Sequence, residues 1–243
     1  ALYAPPLLWE NRGLFFVTTR DGFLKVVSER LVIKKAFRLP CQIYSSPVFL
    51  NGFVYCIDSS GMLLCIELAS WKVLWRKRLP STLATPVLWG RKLVVVCDGK
   101  IFVLNQNGET ERQFDFPFHP TSSCPVVLNG KLFIATREGR LVCFDVKAGN
   151  IRWQIETGEI LADLVIFNGK GLIKGRRNVF EYSPVLKPLK KFKKPSTVVI
   201  ASDWEGIYGI GKDGGVNYLR NSTVVSTVQP VWLGSLAVFC YQT

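Results

Sequence analysis

Apolar residues in this chain come in short runs of about four to six, cut by turn residues, and the runs recur at a fixed interval. Residues 53–57 (Phe-Val-Tyr-Cys-Ile) form one run and 63–66 (Leu-Leu-Cys-Ile) the next, with Ser59-Ser60-Gly61 between them. A shorter run, Val48-Phe49-Leu50, precedes them across Asn51-Gly52. A polar turn at 68–72 leads to Val73-Leu74-Trp75 and the basic tail Arg76-Lys77-Arg78. The runs are rich in β-branched and aromatic residues, and none keeps a helical spacing long enough to form a helix. The pattern predicts four strands joined by tight turns.

The unit repeats. Ser45, Pro47, Val48, Leu50, Asn51, Gly52, Gly61, Leu63, Cys65 and Trp75 coincide with Ser123, Pro125, Val126, Leu128, Asn129, Gly130, Gly139, Leu141, Cys143 and Trp153 under one ungapped shift of 78 residues. At roughly half that shift, Pro86-Val87-Leu88 through Gly99 supplies a copy between them. Six copies follow, at about 6–40, 43–80, 83–119, 121–158, 160–195 and 196–228, with a partial seventh at 230–243. Asn-Gly at 51–52, 129–130 and 168–169 suits a two-residue hairpin, because both positions accept positive φ at low cost.

Four antiparallel strands per period of about 40 residues predict an all-β chain, a β-propeller of four-stranded antiparallel blades (six blades plus a partial seventh). A lone four-stranded sheet exposes two apolar faces, and stacking blades buries both. Residues 1–243 are expected to form one propeller domain, a fragment of a larger multidomain protein. The seventh blade is expected to be completed by sequence before Ala1, giving seven blades; six blades with a frayed tail is the alternative.

The order Ser-Ser-Pro-Val-x-Leu-Asn-Gly, then Gly-x-Leu-x-Cys-(Ile/Phe)-(Glu/Asp), then Trp ten residues after the Cys, resembles the PQQ-type repeat. Quinoprotein alcohol dehydrogenases, outer-membrane assembly lipoproteins and the tails of some adenylate-forming enzymes carry that repeat. The resemblance is strong at 43–158 and faded at 160–228. Within the superfamily, Ser-Ser-Pro together with strand cysteines is most similar to the C-terminal propeller of the β-alanine-activating enzyme (aminoadipate-semialdehyde dehydrogenase) family. This implies a non-catalytic interaction or scaffolding propeller attached to an ATP-dependent adenylate-forming ligase that activates an acyl group or amino acid.

Candidate chemistry is sparse. Quinoprotein dehydrogenases use an adjacent-cysteine pair and clustered acids; this chain has no Cys-Cys, and Asp21, Asp58, Asp98, Glu138 and Asp213 fall in turns. Trp75 and Trp153 read as largely buried packing residues between blades. The single histidine, His119, lies between prolines and reads as an inter-blade loop residue. Gly209-Ile210-Gly211-Lys212-Asp213-Gly214-Gly215 aligns with the second hairpin turn of the other copies, so it reads as a turn rather than a phosphate loop. No catalytic residue, metal ligand or cofactor is expected; a quinone- or metal-dependent oxidoreductase is the alternative class. The seven cysteines show no CxxC spacing, and Cys56, Cys65, Cys97 and Cys143 sit inside apolar runs. They read as free thiols in a reducing, cytoplasmic compartment. No run reaches the length of a membrane-spanning helix, and no membrane partner is expected.

The net charge of +13 favours anionic partners. The densest basic segment holds Lys187, Lys190, Lys191, Lys193 and Lys194; Arg76, Lys77 and Arg78 end the second copy, and Lys34, Lys35 and Arg38 end the first. Edge-strand protection accounts for such lysines. The functional reading makes Lys187, Lys190, Lys191, Lys193, Lys194, Arg76, Lys77 and Arg78 a docking patch on a basic outer rim. Its expected partner is an acidic protein domain or the parent's own upstream domains. Nucleic acid is disfavoured, because Phe192 is the only aromatic within the densest run.

Overall fold

The computed structural model describes residues 4, 6–9, 13–28, 30–158, 160–167, 170–174, 178–182, 190–193, 197–202, 207–211, 216–220, 223–228, 231–233 and 236–238; side chains are described up to Leu161, those of residues 8 and 9 excepted. The described residues contain no helix. The chain divides into two compact units, Ala1–Ile160 and Leu161–Thr243.

The first unit holds four blades. Blade 1 is β1 (Leu7–Trp9), β2 (Leu14–Thr18), β3 (Phe23–Ser28) and β4 (Ile33–Arg38). Blade 2 is β5 (Val48–Leu50), β6 (Phe53–Ile57), β7 (Met62–Glu67) and β8 (Lys72–Arg78). Blade 3 is β9 (Val87–Trp89), β10 (Lys92–Cys97), β11 (Lys100–Leu104) and β12 (Thr110–Asp115). Blade 4 is β13 (Val126–Leu128), β14 (Lys131–Ala135), β15 (Arg140–Asp145) and β16 (Asn150–Glu156). The second unit holds β17 (Ala162–Phe167), β18 (Lys170–Lys174), β19 (Asn178–Tyr182) and β20 (Lys190–Lys193), then β21 (Thr197–Ser202), β22 (Ile207–Gly211), β23 (Val216–Arg220) and β24 (Thr223–Val228), then the pair β25 (Val231–Leu233) and β26 (Leu236–Val238). Every sheet is antiparallel and follows chain order. The six four-stranded sheets and the two-stranded seventh match the copies read from the repeat.

Burial explains the sequence pattern strand by strand. The middle strands β6 and β7 are covered on both faces, so they read as unbroken apolar runs. The fourth strands β8 and β16 alternate between exposed and half-buried positions, since only one face is covered. The first strands of blades 3 and 4 approach each other, which places the first strand on the inside and the fourth on the outside. Asn51 and Gly52 have φ of 50° and 85°, and Asn129 and Gly130 of 51° and 73°, the double left-handed turn expected of Asn-Gly. The third Asn-Gly, at 168–169, lies outside the described residues.

One apolar cluster fills each gap between the four blades of the first unit. Phe16, Leu24 and Val26 of blade 1 meet Val54, Cys56, Leu64 and Ile66 of blade 2. The other face of blade 2, with Tyr55, Ile57, Leu63 and Cys65, meets Leu93, Val95, Phe102 and Leu104. Val94, Val96, Ile101 and Val103 meet Leu132, Ile134, Val142 and Phe144. The linkers are stitched by short polar side chains: Thr18 Oγ1 donates to Ser45 O (2.7 Å), Ser45 Oγ to Ile57 O (2.9 Å), and Ser46 N–H to Thr85 Oγ1 (3.0 Å). The Ser-Ser-Pro motif is thus a linker device.

A bulge recurs in the fourth strand. The register slips between Val26 and Val27, Cys65 and Ile66, Val103 and Leu104, and Cys143 and Phe144, leaving one unpaired residue on β4, β8, β12 and β16. The extra residue switches which face the following side chains occupy. This brings Trp75 and Trp153 opposite Cys65 and Cys143, at equivalent positions.

Candidate functional site

The tryptophans sit where expected, largely covered but not fully buried, at equivalent positions of blades 2 and 4. Both lie on the outermost strand, where the next blade covers only part of the ring. Trp75 packs on Tyr55 (centroids 5.9 Å apart, planes at 47°), and Trp153 packs on Phe133 in the same way (6.0 Å, 54°). Trp75 Nε1 donates to Gln106 O in the outer turn of blade 3 (3.1 Å), and Lys77 Nζ donates to Gly108 O (2.7 Å). Blade 3 repeats this clasp with other residues. Arg112, opposite Val103 as Trp75 is opposite Cys65, donates from Nη1 to Lys147 O (2.9 Å) and Val146 O (3.0 Å) of blade 4. Sequence reading missed Arg112, because the acceptor carbonyls belong to the neighbouring blade.

The turn acids are also structural. Asp58 Oδ2 accepts from Cys41 N–H (3.0 Å), Asp98 Oδ2 from Ser81 Oγ (2.8 Å), and Glu138 Oε1 from His119 N–H (3.1 Å). Each carboxylate ties a second hairpin to the linker entering its own blade. His119 Nδ1 also lies 2.6 Å from Glu138 Oε1. Burial works to raise the Glu138 carboxyl, but hydrogen bonds, led by that from His119, hold it below the ordinary value. Among the described residues no group of three or more His, Cys, Asp or Glu is placed to hold a metal ion.

Cys56, Cys65, Cys97 and Cys143 are buried free thiols. Their strand partners are not cysteines: Cys65 stands between Tyr55 and Trp75, and Cys143 between Phe133 and Trp153. Burial pushes the Cys65 and Cys143 thiols up to about 11 and that of Cys97 to about 12.

The docking candidates separate on inspection. Arg76 and Arg78 are exposed on β8, and Arg78 Nη1 donates to Ser60 Oγ (2.8 Å); Lys77 is half-buried and committed to the clasp. Lys190, Lys191 and Lys193 lie on β20, the fourth strand of its sheet, and their side chains fall outside the described residues, as do Lys187 and Lys194 altogether. The basic residues of blades 3 and 4 are largely neutralised. Lys92 pairs with Glu111 (2.5 Å), Arg137 with Asp98 (3.3 Å), Arg140 with Glu156 (3.5 Å) and Arg152 with Asp145 (2.9 Å). A hydrogen bond from Ala148 N–H, then the Arg152 guanidinium, holds the Asp145 carboxyl at about 2. On blades 1 and 2, by contrast, exposed Lys34, Lys35, Arg38, Lys72, Arg76 and Arg78 have no carboxylate within 4.0 Å among the described residues. Among the described residues, unpaired positive charge is thus concentrated on two adjacent fourth strands.

Comparison with solved structures gives the fold. BamB from Moraxella catarrhalis superposes with a TM-score of 0.73 over 94% of this chain and 77% of that one, at 16% identity. This chain has the β-propeller fold. No family model matches it. Among curated proteins, the outer membrane protein assembly factor BamB of Salmonella typhimurium is 26% identical over 136 residues, 54% of this chain and 34% of that protein. BamB of Yersinia pestis is 28% identical over 135 residues with the same coverage. An uncharacterised protein of Rickettsia prowazekii is 26% identical over 198 residues, 72% of this chain and 47% of its own length. The chain therefore spans about a third of the BamB proteins and about half of the Rickettsia protein.

Proposed function

We propose that this chain is a non-catalytic interaction propeller that docks an acidic protein domain on its basic outer edge. The observation that carries the reading is the contrast in charge pairing: most cations on blades 3 and 4 are paired with carboxylates, whereas Lys34, Lys35, Arg38, Lys72, Arg76 and Arg78 on β4 and β8 are exposed with no carboxylate within 4.0 Å among the described residues. Asp58, Asp98, Glu138, His119 and Trp75 are engaged in holding blades and linkers together. Similarity to BamB, whose name is that of an assembly factor, supports a role in bringing proteins together. The finer reading, from the PQQ-type motif, is that the propeller is tethered to a cytoplasmic adenylate-forming enzyme of the β-alanine-activating type and receives that enzyme's acidic carrier domain.

Exposed charges are screened beyond about 8 Å at physiological salt, so the contact is expected to be weak, salt-sensitive and dependent on tethering, which raises the effective concentration to roughly millimolar. The experiment compares wild type with Arg76→Glu/Arg78→Glu and with Lys190→Glu/Lys191→Glu/Lys193→Glu/Lys194→Glu. Binding to the isolated carrier domain is measured at low and high salt. Loss of low-salt binding in either variant, with unchanged melting, supports the reading. Equal binding by all three proteins overturns it.

A further inference from the structure

We propose that strand β4, the outer edge of blade 1, takes up an extended acidic segment of a partner protein as an added fifth strand. This rests on the reading of the chain as an interaction module and names the partner's chemistry and mode of attachment.

Strand β4 differs from the other fourth strands whose side chains are described. It pairs with β3 on one side and ends the sheet on the other. Every residue of β4 except Phe37 is exposed, where β8 and β16 half-bury alternate residues against a neighbour. The cause is local. Lys35 stands opposite Val26 at the post-bulge position that Trp75 and Arg112 occupy in blades 2 and 3, and it is exposed rather than clasped. Trp71 of blade 2 closes the gap from the other side, its ring 6.5 Å from that of Phe16. Freed of the clasp, β4 shows its edge to solvent.

That edge has the features of a strand acceptor. Leu39 N–H donates to Gly22 O (2.8 Å), so antiparallel alternation turns the N–H and C=O groups of Ala36 and Arg38, opposite Lys25 and Phe23, away from β3. Leu31, Val32 and Ile33, which lead into and begin the strand, are 64%, 51% and 55% exposed, the main stretch of exposed large apolar residues on the described surface. Lys34, Lys35 and Arg38 flank these open groups with no carboxylate partner among the described residues. Lysines on an edge repel a second copy of the same strand. The same lysines favour an incoming strand that alternates acidic and apolar residues, so repulsion of self and selection of an acidic partner come from one set of charges. Main-chain pairing then supplies attachment and the alternate side chains supply selectivity.

The test uses the full chain and a synthetic peptide of about ten residues alternating Glu and Val, a usual strand length at the upper end. Controls are the same peptide N-methylated at every second residue and a Lys/Val peptide. Binding should slow amide exchange at Ala36 and Arg38. It should weaken about tenfold in Lys34→Glu/Lys35→Glu, whose melting is checked in parallel, a change of the size close charge pairs produce. The N-methylated and Lys/Val peptides should fail to bind. Equal binding of the N-methylated peptide, or protection confined to other strands, overturns strand addition; equal binding of the Lys/Val peptide overturns the acidic selection. If the Glu/Val peptide does not bind while the acidic carrier domain does, the edge proposal alone falls; if neither binds, the interaction reading falls with it.

Discussion

The indole of Trp75 lies against Gly108 of the neighbouring blade, its ring carbons 3.0 Å from where a Cβ on that glycine would stand. Gly108 also has φ of +81°, so two constraints meet at one residue: a left-handed backbone and a close aromatic neighbour. Phe114 and Gly149 repeat the relationship between blades 3 and 4, with the aromatic ring still closer.

Gly108→Ala should therefore destabilise the chain by about 1–3 kcal/mol, the range for a strained left-handed residue. Trp75→Ala should cost about 2 kcal/mol, below the 3–5 of a fully buried aromatic, because part of the ring stays exposed. In a double-mutant cycle read by urea unfolding, the two should be non-additive, since removing the indole relieves the crowding at residue 108. Additive effects would show that the strain is confined to the backbone.

Acid sensitivity should be carried in part by Asp145. Its folded carboxyl titrates near 2, below the ordinary value near 3.9. A depressed carboxyl contributes stability that is complete above the unfolded value and is lost as pH falls through the folded one. The unfolding midpoint should fall between about pH 5 and pH 2. Asp145→Asn should flatten that part of the profile and lower stability near pH 7, where the wild-type carboxylate holds Arg152 and the Ala148 amide. An unchanged pH profile in the variant would place the acid response elsewhere.

Thiol reactivity should divide by burial. Cys65, Cys97 and Cys143 are buried and titrate at about 11 to 12, so little thiolate forms at pH 8. Cys41 is exposed. Limited alkylation with iodoacetamide followed by peptide mapping should label Cys41 first and the three strand cysteines only after denaturation. Alkylation of Cys65 at the rate of Cys41 in the folded chain would contradict the packing between Tyr55 and Trp75.

The blades were legible in the sequence because their cause is local. A four-strand unit repeats its turn chemistry, and Asn51-Gly52 and Asn129-Gly130 need the left-handed conformations they adopt. Apolar runs such as 53–57 report burial on both faces, and burial is a property of the repeat. The candidate site was legible only in part. Arg76, Lys77 and Arg78 are consecutive and equally basic, yet the bulge opposite Cys65 and Ile66 turns Lys77 into the blade interface and leaves its neighbours outside.

The period, the strand order and the turn types were thus determined by the sequence itself, since each depends on residues close together along the chain. Only the tertiary structure decided what the charges and aromatics do. Trp75 and Arg112 share one task although nothing in their chemistry predicts it, because the carbonyls they meet are presented by the next blade. Lys34 and Lys35 remain unmatched while Lys92 and Arg152 are neutralised, because pairing requires a carboxylate within about 4 Å in space, and the fold, through its bulges and blade contacts, sets that distance.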